Sequence, residues 1–201
     1  GPMTRTVRDS ALLLQILAGY DPRDSIALRG QPEDYLSAAD RNLNGMKLGW
    51  SPDFGYATVE PEVLDVTEHA ALAFQEIGCN VNLADLKLDN PHDIFLTIFG
   101  ANILITYGQL LSKSNELTEY TINWLENAKS VTGMDYAKAL GQIDIAKDKF
   151  NELFDQYDLL LSPTLPITAF PVGTPPSEID GKKIDQFWSY VQLTAIINFG
   201  L

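Results

Sequence analysis

Cysteine and histidine are scarce in this sequence of 201 residues. It contains one cysteine, Cys79, and two histidines, His69 and His92. A single cysteine excludes an internal disulfide framework and a cysteine-rich zinc site, and two isolated histidines do not suggest a metal centre. We therefore expect no cofactor, no metal, a buried Cys79 and a reducing, cytoplasmic environment.

Basic residues and long apolar runs are also few. Lys and Arg number 14 against 27 Asp and Glu, for a formal net charge of −13. Binding of nucleic acid requires clustered Lys and Arg, and the sequence has no such cluster. The longest apolar candidate, residues 94–111, is interrupted by polar residues and favours a buried helix over a membrane span. We expect neither a nucleic-acid partner nor a membrane partner.

The first half of the chain has the pattern of an α/β protein. Thr6, with Asp9 three residues later, resembles a capping box before an apolar helix that ends at Gly19, and we expect that helix to be buried. Residues 46–50 read as a strand, residues 61–77 as a helix and residues 79–83 as a second strand. A strand, a helix and a strand in this order predict a βαβ unit with parallel strands.

The second half is mostly helical. Residues 91–154 have helical spacing, with breaks near residues 112–114 and at Gly133. Residues 159–161 are three leucines, which suit a strand buried on both faces. Prolines make residues 162–181 irregular, and residues 186–197 read as a last helix. We predict a helix-rich α/β fold, and a single domain over residues 1–201.

Several residue groups are weak candidates for chemistry. The Ser-Lys-Ser run at 112–114 has the residue types of a serine–lysine triad, but lacks the apolar surroundings that would lower a lysine pKa. His69 is expected to face solvent, and neither it nor His92 has evident triad partners. Asp21 and Asp24 flank Pro22 and favour a capped turn over a metal pair.

Three segments, in order along the chain, resemble the amidase signature family. The first is residues 1–9 with the apolar helix that follows. The second combines Gly-Met-Lys-Leu-Gly at 45–49 with Gly-Cys-Asn-Val at 78–81. The third is Tyr-Asp-Leu-Leu-Leu-Ser-Pro-Thr-Leu-Pro at 157–166. Gly1 and Pro2 belong to the motif in this interpretation; the alternative is that they remain from a protease cleavage site.

The resemblance implies a mixed sheet flanked by helices and an enzyme that hydrolyses or transfers carboxylic amides without a metal. The family uses a Ser–cis-Ser–Lys triad, in which a neutral lysine accepts the proton of the nucleophile through the middle serine. Backbone N–H groups of a glycine-rich loop bind the oxyanion. In the family these groups precede the motif at Gly1 and Pro2. We therefore assign no catalytic residue, and we expect this chain alone to be inactive and to self-associate or form a homodimer.

The best candidates for substrate binding follow the third segment. In the family this loop and the helix after it lie near the acyl pocket, and irregular backbone after a strand is where α/β sheets place ligands. The alternative is that the Trp and Ile of this set only pack the helix onto the sheet. The candidates are Pro163, Thr164, Pro166, Trp188, Thr194, Ile197 and Asn198.

The resemblance favours an amidase that hydrolyses the C–N bond of a small or aryl carboxylic amide. Two alternatives stay open. One is a transamidase of the glutamyl-tRNA amidotransferase type, which would need partner subunits. The other is a non-catalytic α/β interaction module.

Overall fold

The computed structural model describes residues 2–25, 27–186 and 188–199. They fall into two compact units, Gly1–Asn44 and Gly45–Leu201. The single domain over residues 1–201 stays a prediction, and each unit is described by itself.

The N-terminal unit contains helices α1 (Val7–Leu17) and α2 (Tyr35–Ala38). The predicted cap is present: Thr6 Oγ1 accepts a hydrogen bond from the Asp9 backbone N–H at 3.1 Å. Gln15 Oε1 accepts from the Tyr35 backbone N–H at 2.9 Å, which ties the two helices together.

The expectation that α1 is buried is wrong. Ala11 is its one buried residue in the described structure, whereas Ile16 and Leu17 are 71% and 72% exposed. A unit of this size has too little chain to cover a helix that is apolar on most sides.

The second unit begins with the predicted βαβ arrangement. Strand β1 (Lys47–Trp50) is followed by α3 (Pro61–Leu72), a 3₁₀ turn (Ala73–Ile77) and β2 (Asn80–Leu83). β1 and β2 pair in parallel, with Leu48 opposite Val81. Pro61 occupies the first turn of α3, where its missing N–H costs no helical bond. The parallel pairing confirms the α/β fold class.

The helical segment comprises α4 (His92–Tyr107), a 3₁₀ stretch (Gly108–Glu116), α5 (Glu119–Ala128) and α6 (Gly133–Phe154). α6 starts with a full capping box, in which Thr132 and Asp135 each bond the other's backbone N–H. The chain then forms β3 (Leu159–Leu161), the short strands β4 (Glu178–Ile179) and β5 (Lys182–Lys183), a 3₁₀ turn (Ser189–Val191) and α7 (Gln192–Asn198).

The region predicted as a buried helix is only partly buried. Ile94, Ile98 and Gly100 of α4 are buried, but Ile105 is 84% exposed. By length and composition alone, His92–Glu116 is the one described stretch apolar enough to cross a membrane. The backbone of this stretch departs from helical geometry at Lys113, and a core helix of a soluble protein meets the same criterion.

Three further expectations on the last third of the chain need correction. β3 lies at an edge of the described sheet, in the order β2-β1-β3, so that Leu159 is 46% exposed instead of buried on both faces. Residues 162–181 are irregular as predicted except for β4, which forms a hairpin with β5. The last helix begins at Gln192 instead of residue 186 because Trp188 has a left-handed backbone, with φ of 71°.

One apolar core joins the sheet side of this unit to its helices. Phe54 and Leu193 are 0% and 1% exposed, and Phe150 of α6 meets the Phe54 ring edge-on with centroids 6.3 Å apart. The buried members of this cluster are Phe54, Ala57, Val59, Ala84, Leu86, Leu88, Ala146, Phe150, Leu153, Leu193 and Ile196. The core therefore fixes the loop after β1 against α6 and α7.

Candidate functional site

The carboxyl ends of β1 and β3 lie side by side. The Ser51 backbone N–H donates to the Leu161 carbonyl at 2.9 Å, directly after the two strands. Ser51 is 1% exposed, and its Oγ accepts from the Phe54 backbone N–H at 3.1 Å. In a parallel sheet this edge is where ligands bind, because the loops that follow the strands open there.

The loop after β1 holds a strained backbone at this edge. Phe54 has a φ of 54° and Gly55 a φ of 79°. A left-handed conformation costs a bulky L-residue about 1–2 kcal/mol, and burial of the Phe54 ring offsets that cost. The Gly55 N–H is fixed by Asp53 Oδ1 at 2.7 Å, and the Phe54 carbonyl accepts from the Leu88 N–H at 2.9 Å.

The same loop reaches both groups of predicted site residues. The Glu60 N–H donates to the Pro166 carbonyl at 2.8 Å. The Tyr56 hydroxyl donates to the Gln192 carbonyl, at the start of α7, at 2.9 Å. Burial, with a smaller contribution from the Asp53 carboxylate, raises the pKa of the Tyr56 phenol well above its usual range, so this hydroxyl stays a donor.

The predicted site residues differ in exposure. Pro163 and Pro166 are buried, Thr164 is exposed, and Trp188 and Thr194 are partly buried. Their side-chain hydrogen bonds are local where they exist: Thr194 Oγ1 donates to the Val191 carbonyl. Asn198 Nδ2 donates to the Thr194 carbonyl, both at 2.8 Å. Ile197 is 44% exposed.

Trp188 lies in an aromatic cluster formed with α4 and α5. Its indole N–H donates to the Tyr120 hydroxyl oxygen at 2.6 Å, and the Trp124 indole N–H donates to the same oxygen at 3.0 Å. The Trp188 ring lies 5.7 Å from Phe95 and 6.0 Å from Phe99, centroid to centroid. The cluster therefore gives Trp188 several partners on neighbouring helices.

An apolar pocket of about 250 Å³ opens beside this cluster. It is the described pocket that includes a predicted site residue, Trp188. Its lining consists of Phe99, Ile103, Tyr107, Leu110, Tyr120, Thr121, Trp124, Leu125 and Trp188.

The sequence interpretation missed most of these pocket residues and also missed Tyr56. A signal for the pocket was present: Phe95 and Phe99 are four residues apart on α4, and Tyr120 and Trp124 are four apart on α5. Residues at this spacing share one helix face. No comparable local signal marks Tyr56, because its partner Gln192 lies 136 residues away.

The weak candidates agree with their sequence interpretations. His69 is exposed and bonds its own helix at the Asp65 carbonyl. The residues at 112–114 are exposed, although they form 3₁₀ helix and not a loop. Cys79 is buried, and Asp21 caps its turn through Arg23. No group of three or more potential metal ligands occurs within residues 2–25, 27–186 and 188–199.

Comparison with known proteins places these features in a family. The model of the amidase family matches residues 1–200, and the chain belongs to that family. It is similar to an acylamidase of Rhodococcus erythropolis, with 32% identity over 92% of this chain and 39% of the relative.

A second relative belongs to another branch. It is the amidase-like subunit of a glutamyl-tRNA(Gln) amidotransferase from Synechococcus sp. (strain RCC307), 30% identical over 86% of this chain and 41% of that protein. Among solved structures, a bacterial aryl acylamidase of the amidase signature family superposes with a TM-score of 0.86 at 26% identity, over 98% of this chain and 43% of that one. The chain thus spans about two fifths of the length of the relatives it matches.

Proposed function

We propose that this chain is the substrate-binding part of an amidase that hydrolyses the C–N bond of a small or aryl carboxylic amide. The observation that carries the proposal is the similarity to an acylamidase and, in three dimensions, to an aryl acylamidase over nearly the whole chain. The apolar pocket beside Trp188 supports it, because an uncharged acyl or aryl group is the part of such a substrate that needs an apolar environment.

The proposed mechanism divides the work between this chain and the rest of the enzyme. A Ser–cis-Ser–Lys triad and a glycine-rich oxyanion loop, outside these 201 residues, would carry out acyl transfer and release ammonia or an amine. The residues at the carboxyl end of β3 and on α7 would hold the substrate beside them. Binding energy used in this way positions the carbonyl for attack.

Within that division, Thr164 is the proposed polar contact to the amide. Its hydroxyl is exposed at the end of β3 and can donate or accept. Pro163 and Pro166 fix the backbone on either side, since proline restricts φ.

The test is ammonia release from benzamide and acetamide by the product of the complete reading frame that contains this chain. We expect saturable hydrolysis, and we expect Thr164→Val to lower kcat/KM by roughly tenfold, the value of one hydrogen bond to substrate. Thr174→Val serves as the control, because Thr174 Oγ1 bonds within its own turn, to Pro171. No amide hydrolysis by the complete product would overturn the proposal.

A transamidase is the second candidate, and the similarity to subunits of glutamyl-tRNA(Gln) amidotransferases favours it. Such a protein would release ammonia from glutamine and pass it to a partner. Glutaminase activity that rises on addition of partner subunits, together with no hydrolysis of benzamide, would select this candidate over the first.

A further inference from the structure

The aromatic pocket is a built site with a defined chemistry. α4 contributes Phe99 and Ile103, the 3₁₀ stretch contributes Leu110, and α5 contributes Tyr120, Trp124 and Leu125. Leu125 is 0% exposed and Trp124 5%. Among the lining residues, hydroxyls of Tyr107, Tyr120 and Thr121 are the polar side-chain groups, and none of the lining side chains is ionised at neutral pH.

The hydroxyl of Tyr120 organises the two indoles of this pocket. A phenol oxygen has two lone pairs, and here it accepts from both Trp124 and Trp188. The two indole planes are held at 75° to each other, with centroids 6.3 Å apart. One oxygen thus fixes two walls of the pocket at an angle that a flat ring can enter.

The backbone of Trp188 adds a second, independent observation. A left-handed conformation at a bulky residue is uncommon and costs on the order of 1–3 kcal/mol. The φ of 71° aims the indole at Tyr120 instead of letting α7 begin earlier. Strain of this kind, held by several partners, points to a side chain whose position matters.

We propose that this pocket binds an uncharged, flat ring, and that Tyr120 is the positioning residue which sets Trp124 and Trp188 around it. An apolar cavity of roughly 150 Å³ suffices for benzene, so a volume of about 250 Å³ accommodates a single substituted ring. The ring belongs to the aryl group of the amide substrate, and to this extent the inference rests on the proposed function. A charged ring is excluded because no carboxylate or cation lines the pocket to replace its hydration.

The test uses binding by this 201-residue chain and needs no turnover. The sequence has three tryptophans, so their indole N–H signals in a ¹⁵N–¹H spectrum report on the pocket. On titration with benzamide we expect the signals of Trp124 and Trp188 to shift and that of Trp50, which lies in β1, to stay. Benzylamine, protonated at neutral pH, should shift them less at equal concentration.

Variants separate positioning from packing. Tyr120→Phe keeps the ring and removes the acceptor, and we expect it to move both indole signals and to weaken benzamide binding about two- to tenfold. Tyr157→Phe is the matched control: it removes a phenol that donates to the Leu83 carbonyl, outside the pocket. Leu110→Trp, on the partly exposed rim, should fill the pocket and abolish binding while the far-UV circular dichroism spectrum stays unchanged.

Two results would overturn the inference. One is a benzamide titration that moves none of the three indole signals. The other is unchanged benzamide affinity in both Tyr120→Phe and Leu110→Trp. Either result, alongside amide hydrolysis by the complete reading-frame product, would sink the pocket assignment and leave the proposed function standing.

Discussion

At the residue scale, the loop after β1 depends on individual backbone conformations. Gly55 has a φ of 79°, and a Cβ at this position would lie 2.9 Å from Lys87 Cα and 3.0 Å from the Leu86 carbonyl oxygen. Both atoms belong to the backbone and cannot move aside cheaply. The requirement for glycine here is therefore both conformational and steric.

Gly55→Ala should accordingly destabilise the fold, by about 1–3 kcal/mol from backbone strain with the close contact in addition. Gly141→Ala is the matched control, because Gly141 lies inside α6 with open space around its Cβ position. That change should stabilise by about 0.5–1 kcal/mol through helix propensity. Urea unfolding of both variants measures the two effects, and equal signs would contradict this account of the loop.

Tyr56 gives a residue-scale prediction on pH. Its pKa is raised in the folded state, first by burial and then by Asp53. The folded chain therefore keeps a proton that the unfolded chain loses above its pKa of about 10. The stabilising contribution is complete below pH ~10 and is lost as pH rises further, by about 1.4 kcal/mol per pH unit.

The free energy of unfolding of the native chain should fall more steeply above pH 10 than that of Tyr56→Phe. Urea unfolding between pH 9 and 11.5 measures both slopes. Ultraviolet titration of the phenols should likewise show one tyrosine fewer among the late-titrating groups in the variant. Parallel slopes would mean that Tyr56 titrates normally and does not hold Gln192 as described.

At the scale of elements, local signals in the sequence predicted well wherever the determinant is local. The cap at Thr6, the proline at the start of α3 and the break at Gly133 all lie within a few residues of the boundary they set. The hairpin of β4 and β5 was missed although its signal is also local. Asp180 and Gly181, with φ of 47° and 71°, are the Asp-Gly pair typical of a two-residue hairpin turn.

Other element boundaries depend on distant partners, and the sequence could not supply them. α7 begins late because the Trp188 side chain bonds to Tyr120, 68 residues earlier. β3 is exposed along one side because it lies at an edge of the described sheet. Apolar composition alone does not distinguish a central strand from an edge strand.

The start of α6 gives the element-scale prediction. Thr132 and Asp135 close a capping box at this helix, which carries Phe150 and Leu153 into the core. Thr132→Ala removes the acceptor for the Asp135 N–H and should cost about 1 kcal/mol of stability. Thr106→Ala, at an exposed hydroxyl that bonds within its own helix, should cost less than ~0.5 kcal/mol. Thermal unfolding of the two variants compares them, and an equal loss in both would rule out the cap.

At the scale of the whole molecule, family membership came from ordered motifs, and the site came only in part. Pro163, Thr164 and Pro166 were predicted from the end of β3, and the structure places them beside β1 and the start of α3. Their role in binding stays a prediction, as do self-association and a cytoplasmic location. The aromatic pocket joins residues from 99 to 188, a grouping that only the folded chain makes visible.

The central claim is that this chain binds the amide substrate while the nucleophile comes from outside its 201 residues. The most direct measurement is ammonia release from benzamide, with the purified 201-residue chain and the complete reading-frame product assayed side by side at equal concentration. The account predicts saturable release by the complete product and none by the chain alone. Saturable release by the chain alone would contradict it, because a nucleophile among the residues described above would then have to carry out the reaction.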